Sequence, residues 1–331
     1  MPSQIKALHT VDGTSFPYIF EQNATVQLNS MTGKSFQDKS YSEVNPEYHS
    51  DHLSWETPDP GYWTKNGYAL VRADERGLGQ SPGKLDTMSR GTIEAFFDVI
   101  EWAAAQSWSS GKVGLLGISY HAWSQWRVAA RKPKGLAAMI PWEGVSDYYR
   151  GRCRHGGILS NSFIKFWWDL QVVSNHEEEL VRNRQDQTIY NVNNRFRDDE
   201  YYASKEYDME DIVVSLLSVA NWGGILLHLR GNIEGFCNAG SELKYHRTIT
   251  GRHDLPFCYD EEVDIQKSFL DAFLKGQDRV GWPIKGKIPP VDLVLQKGDV
   301  DFNNAEAEKQ YQRRTENEWL VARTRYIKYS R

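Results

Sequence analysis

Gly117-Ile-Ser119-Tyr120-His121 is the segment of this sequence best suited to chemistry. It follows an apolar run, Val113-Gly-Leu-Leu-Gly117, and precedes a stretch with helical spacing, His121 to Arg131. A serine at such a strand-to-helix turn is bent sharply, so its hydroxyl stands above the sheet. The backbone N–H of the next residue, Tyr120, then points to where an oxyanion would form. The match to G-x-S-x-G is imperfect, because His121 occupies the place of the last glycine. Serine also needs a base to be nucleophilic near neutral pH. In folds of this type the chain order is serine, acid, histidine. His253, in Gly251-Arg-His-Asp254, follows a late strand and precedes the last core helix, where the base belongs. His246 is the nearest rival, but it lies inside the strand.

The acid is less clearly marked. The strand Ser215–Asn221 should deliver it, yet the sequence continues Asn221-Trp-Gly-Gly224 without a carboxylate. Glu143, in Pro141-Trp-Glu-Gly144, ends the strand that follows the nucleophile helix and is the preferred alternative, with Asp147 and Glu234 as rivals. Trp142, Tyr148, Trp167, Trp168 and Trp222 are candidates for the walls of a substrate site, with His155 as a polar helper. Packing between a cap and the sheet is the simpler account of any one of these aromatics. Two glycine-bearing segments are rejected as phosphate loops. Asp74–Gly83 does not fit G-x-G-x-x-G and no helix starts at once after it, and Gly33-Lys34-Ser35 lacks the first glycine of a P-loop, having Leu28 there.

These residues need a frame. Tyr68–Asp74, Val113–Gly117, Leu136–Trp142, Ser215–Asn221 and Tyr245–Ile249 read as strands. Gly91–Gln106, His121–Arg131, Leu226–Ala239 and Val263–Leu274 read as helices between them. Strands alternating with helices predict an α/β fold, a mostly parallel sheet covered on both faces. Residues 145–210 are polar and aromatic and interrupt the rhythm, which predicts a helical cap inserted over the sheet's carboxyl edge. The core is then 1–144 plus 211–286. Residues 287–331 carry strand-like pieces at Val291–Leu295 and Tyr326–Tyr329, too little to bury a core of their own. Unpaired strand edges invite association, so this tail is expected to pack on the core or to mediate a homodimer.

Composition narrows the partners. The 331 residues are 40% hydrophobic and 25% charged, as in a folded globular chain. Lys and Arg total 39 against 44 Asp and Glu, a net charge of -5, which leaves no cationic excess for nucleic acid. No apolar run is long enough to span a bilayer, and MPSQIKALHTVDG lacks the apolar core of a secretory signal. The Asn23-Ala-Thr25 sequon is therefore put down to chance. Cys153, Cys237 and Cys258 are too few and too scattered for a disulfide framework or a zinc site and fit a reducing, cytoplasmic setting. No metal or cofactor is expected, and the expected partner is a small-molecule substrate.

Several segments in order resemble the CocE/NonD hydrolases, a family related to the X-Pro dipeptidyl peptidases. They are Asp74–Gly83, the Gly117–Tyr120 elbow, Ala137–Gly144, Arg154–Gly157, Asn221–Gly224 with His228–Gly231, and Phe273–Gly276. The resemblance covers roughly residues 50–331. It implies an α/β-hydrolase domain, a helical cap and a Ser-Asp-His triad, with Ser119 and His253 on the nucleophile and base. It also exposes departures. The usual triad aspartate would fall near Gly224 and is absent. The family's oxyanion tyrosine aligns with Thr32, in Met31-Thr-Gly-Lys34. The family's C-terminal jelly roll is represented only by its first strands, and residues 1–48 read as shortened. Losing one oxyanion donor typically costs about 2.7–4 kcal/mol of transition-state stabilisation, and disabling the acid can lower turnover by about 10⁴-fold. The expectation is thus a serine hydrolase of a small to medium apolar ester, lactone or amide. The alternatives are a non-hydrolytic lyase, cyclase or dehydratase on the same fold, or a decayed binding protein.

Overall fold

The computed structural model describes residues 5–7, 16–23, 44–77, 81–168, 184–223, 227–296, 298 and 305–328. Its strands are β1 Ile5–Ala7, β2 Phe16–Asn23, β3 Ala69–Asp74, β4 Ser109–Ile118, β5 Leu136–Trp142, β6 Arg154–His155, β7 Ile158–Leu159, β8 Ser215–Asn221, β9 Lys244–Ile249, β10 Val291–Leu295 and β11 Gln312–Glu316. Its helices are α1 Pro60–Lys65, α2 Arg90–Ala104, α3 Tyr120–Ala129, α4 Asn161–Trp167, α5 Gln187–Asn193, α6 Glu200–Ala203, α7 Leu229–Asn238, α8 Asp260–Leu270 and α9 Ala305–Glu308. Among the described residues nine strands form one sheet, ordered β1-β3-β2-β4-β5-β8-β9-β10-β11. Only the edge pairs, β1 with β3 and β10 with β11, are antiparallel.

The central strands are buried on both faces, and their alternation sorts residues into two cores. Val113 and Leu115 of β4 face the side covered by α2, α3 and the cap, with Phe96, Ile100, Trp123 and Tyr202. Leu116 and Ile118 face the other side, with Trp63, Trp142, Phe257 and Phe269. Period-two alternation explains why a continuous apolar run feeds both layers. In α2, Ser89 caps the first turn by accepting from Thr92 N at 3.2 Å, and Ile93, Phe96, Ile100 and Ala103 recur at helical spacing on the buried face. Every residue of α3 is buried, because the cap closes over its outer side. Arg127, in the last turn of α3, fastens that closure by donating to the carbonyls of Trp123, Val145 and Lys205 at 3.0, 3.1 and 3.2 Å.

The inserted segment holds α4, α5 and α6, and also a small β6–β7 hairpin that the sequence pattern does not mark. The tail differs from expectation at its second strand. Residues 326–328 have no regular structure and Tyr326 is 78% exposed. The strand is instead Gln312–Glu316, whose exposed, charged sequence carries no apolar alternation; it forms by pairing with β10. β10 itself joins the main sheet beside β9. Arg247 of β9 secures the junction by bridging Glu262 of α8 at 2.7 Å and Asp292 of β10.

Candidate active site

Ser119 lies between β4 and α3 with φ 57° and ψ −117°, a strained backbone for any residue but glycine. The turn closes because Gly117 has no side chain: a Cβ there would stand 2.7 Å from Cβ of His121. The serine is tied on both sides, its N–H donating to Trp142 O at 3.0 Å and its carbonyl accepting from Trp123 N at 2.9 Å. Tyr120 opens α3, so its amide is one of those a helix leaves without an internal acceptor. Its phenol is anchored at a distance, donating to Glu75 Oε2 at 2.7 Å and accepting from Met88 N at 3.2 Å.

Glu143, at the end of β5, meets His253 on the β9–α8 loop. Glu143 Oε2 is 2.7 Å from His253 Nδ1. Asn221, the last residue of β8, donates to Glu143 Oε1 at 3.0 Å and to Gly251 O, also at 3.0 Å. Asn221, where β8 ends without a carboxylate, thus orients the carboxylate of Glu143 on the neighbouring strand. The other ring nitrogen, His253 Nε2, lies 2.8 Å from Glu56 Oε1. Glu56 is buried, and its carbonyl accepts from Ile118 N at 3.1 Å, one residue before Ser119. Burial alone would depress His253, but the Glu143 charge and the bonds to Glu143 and Glu56 lift it well above the ordinary histidine range. Burial pushes the Glu56 carboxyl up, and its bond to His253 offsets this only in part.

Ser119 Oγ meets a different imidazole, Nε2 of His228, at 3.5 Å. His228 is buried just ahead of α7. Its ring lies nearly parallel to that of His253, with centroids 5.1 Å apart. Its Nδ1 is 3.1 Å from Trp123 Nε1. Burial first, then the charges of His253 and Arg152, hold His228 well below the usual range. Backbone strain gathers in this cluster: the described non-glycine residues with positive φ are Glu56, Met88, Ser119, Lys132 and Glu143, and three of these five are site residues.

The structure thus pairs Glu143 with His253, links that pair through His228 to Ser119 beside Tyr120, and leaves other candidates elsewhere. Asp147 is in the cap, capping Arg150 N at 2.6 Å and lying near Arg150 and Arg197. Glu234 pairs with Arg230 at the surface. His246 is buried against Phe236, and burial pushes it down to about 4. His155 is exposed on the β6–β7 hairpin. Trp142 packs edge-on to Phe257 below the sheet, and Trp222 Nε1 donates to Val294 O, so both serve packing and the tail. Trp167 stacks on Tyr120 at 5.4 Å and covers Arg152, while Tyr148 bonds Tyr201 and Trp168 is buried nearby in the same core. Thr32 and Gly224 lie outside the described residues. Among the described residues no group of three or more His, Cys, Asp or Glu could hold a metal ion, and no helix is long and apolar enough to cross a membrane.

Sequence reasoning missed Glu56 and His228. Glu56 sits in an irregular stretch before β3, and only its tertiary contacts give it meaning. His228 had a usable signal: it follows the strand from which an acid usually comes, in a segment otherwise lacking titratable groups.

A profile of the X-Pro dipeptidyl-peptidase (S15) family matches residues 14–221. The cocaine esterase of Rhodococcus sp. strain MB1 Bresler is 32% identical over 126 residues, 37% of this chain and 22% of that protein. A putative Xaa-Pro dipeptidyl-peptidase of Streptomyces avermitilis is 29% identical over 103 residues, 27% of this chain and 15% of that one. The crystal structure of a CocE/NonD family hydrolase from Staphylococcus aureus superposes with a TM-score of 0.79 at 29% identity, covering 97% of this chain and 54% of its own. The chain therefore spans about half the length of that solved relative. With the family profile covering residues 14–221, well over half of the chain, and the fold of a CocE/NonD family hydrolase structure matching nearly all of it, this protein belongs to the X-Pro dipeptidyl-peptidase (S15) family.

Proposed function

We propose that the chain is a serine hydrolase that cleaves an ester, lactone or amide of a small to medium apolar molecule through an acyl-enzyme on Ser119. The observation that carries this reading is the buried 2.7 Å bond between Glu143 and His253 beside a serine on a strained elbow. Glu143 fixes the Nδ1–H tautomer of neutral His253, which leaves Nε2 as the basic nitrogen. That nitrogen shares a proton with Glu56 Oε1. To act on Ser119, His253 must exchange Glu56 for the serine hydroxyl, a rearrangement compatible with catalytic bonds that tighten only when substrate arrives. The Tyr120 N–H then stabilises the oxyanion. Relatives named as esterases and dipeptidyl-peptidases support the reaction class.

The test is fluorophosphonate labelling read by intact mass, wild type beside Ser119→Ala and His253→Ala. One adduct on wild type, lost in both variants, is expected. A folded wild-type protein that takes no adduct sinks the reading. The Glu56–His253 bond favours one alternative, a non-hydrolytic acid/base catalyst in which Ser119 only positions the substrate; efficient labelling of Ser119 excludes it. A cytoplasmic location and a homodimer through the tail remain proposals, the latter tested by light scattering. The exposed Arg313 and Arg314 on β11 disfavour edge-to-edge pairing.

A further inference from the structure

We propose that His228 is a second catalytic histidine, a neutral hydrogen-bond donor to the oxygen of Ser119, and that Trp123 and Arg152 are positioning residues that keep it in that form. The proposal rests on the serine-hydrolase reading above and assigns a residue that reading does not use.

Two contacts fix the tautomer. Trp123 Nε1 lies 3.1 Å from His228 Nδ1. An indole N–H donates and has no lone pair to accept with. Nδ1 must therefore be the acceptor and carries no proton. A neutral imidazole then carries its single proton on Nε2, the nitrogen 3.5 Å from Ser119 Oγ. So His228 turns a proton toward the nucleophile and has no vacant lone pair there to receive the serine's proton. It cannot replace His253 as base.

The surroundings hold the ring uncharged. His228 is 2% exposed. The charged or titratable groups that bear on it are His253, stacked at 5.1 Å, and Arg152 on the cap side. Arg152 is fully buried, with its guanidinium 4.9 Å from the Trp123 ring and 4.3 Å from the Trp167 ring. None of its three guanidinium nitrogens has a hydrogen-bond partner among the described residues. A buried cation that meets no carboxylate among the described residues projects its charge on its neighbours, and here the neighbour is the indole that holds His228. A second positive charge on the imidazole is opposed from both sides.

The chemistry asks for such a donor. In acylation the Ser119 proton passes to His253 Nε2 as an Oγ lone pair bonds the carbonyl carbon, and the carbonyl π pair moves to its oxygen. Collapse expels the leaving group, which takes the proton from His253. In deacylation water bonds the acyl carbon and gives a proton to His253; the carbon–Oγ bond then breaks, its electron pair returns to Oγ, and Oγ regains a proton from His253. In both steps negative charge builds on Oγ, and the His228 Nε2–H donates to it without losing its own proton.

The first experiment is ¹⁵N NMR of histidine-labelled wild-type protein. A protonated Nε2 and an unprotonated Nδ1 on His228, unchanged across the titration of His253, are expected. A proton on Nδ1, or a charged ring at neutral pH, overturns the proposal whether or not the protein labels with fluorophosphonate. In turnover of p-nitrophenyl acetate, His228→Ala should lower kcat by about 10- to 100-fold, the loss expected of one hydrogen bond to a charged oxygen, with KM little changed. His228→Gln, which restores an N–H near the Nε2 position, should recover most of it, and both variants should still form the Ser119 adduct. Folded His228 variants that block the adduct as fully as His253→Ala would make His228 the base and refute the proposal. Arg152→Met should move the His228 titration upward while Arg152→Lys leaves it in place; an unmoved titration in Arg152→Met removes Arg152 from the scheme.

Discussion

Glu56→Gln should make the enzyme more active at neutral and mildly acidic pH. Glu56 Oε1 sits 2.8 Å from His253 Nε2, opposite the Glu143 bond at 2.7 Å, and both carboxylates favour the imidazolium. A base must be neutral to accept a proton, so the acid limb of kcat/KM follows the ionisation of His253. An opposite charge within about 4–6 Å moves a titration by roughly 1–3 pH units. Glu56 is only one of two such charges and is itself resisted by burial, which points to the low end, about one unit. That is a tenfold change in proton concentration, or ~1.4 kcal/mol. Glutamine keeps the shape, and the backbone carbonyl of residue 56 keeps its bond from Ile118 N. The assay is kcat/KM for p-nitrophenyl acetate from pH 5 to 10. The acid limb should shift to lower pH, with the plateau at high pH equal to or above wild type. An acid limb that stays fixed or moves to higher pH would show that Glu56 does not hold the proton on the base.

Glu143→Gln should lower turnover by up to about 10⁴-fold, since an amide cannot enforce the Nδ1–H tautomer; stopped-flow or single-turnover kinetics with the same ester measure it. His253 should also appear in stability against pH. Its folded-state pKa is raised, so its charge stabilises the fold fully below the ordinary value of about 6.5 and that contribution is lost as pH rises through the folded value. The difference in urea stability between wild type and His253→Asn should therefore shrink at alkaline pH. Ser119→Gly should abolish labelling yet raise stability by about 1 kcal/mol, because glycine relieves the strain of φ 57°; a lower urea midpoint contradicts it. Arg247→Met should cost about 3–5 kcal/mol by stranding the buried Glu262 and its partner Asp292, read as a lower midpoint and as faster proteolysis after residue 290.

The fold was legible where the physics is local. β5 and β8 occupy the residues that their apolar runs predict, and α2 and α3 lie within a residue or two of their periodicity. The elbow was legible because a glycine, a serine and the change from strand to helix coincide in a few residues. β11 was not, because a strand on a sheet edge borrows its order from its neighbour and its exposed side chains need no pattern. Glu143 could be named as a candidate from its place at a strand end, but only the fold brings Asn221 and Gly251 around to fix it. Glu56 was illegible for a related reason: it reaches His253 across 197 positions of chain, and no spacing encodes that. The aromatic residues misled in part, since a tryptophan that packs and one that lines a site look alike until their neighbours are known.

The joining of β10 to the main sheet ties the tail to the loop that bears His253. Trp222 Nε1 donates to Val294 O, Val294 N donates to Thr248 Oγ1, and Arg313 donates to Thr248 O, just before Gly251 and His253. On the ribosome the elbow and Glu143 are made early and can fold with β4, α3 and β5, while the strand that braces the base emerges long afterwards. A nascent chain would thus carry a shaped but unbraced elbow until β10 and β11 have left the exit tunnel and docked beside β9.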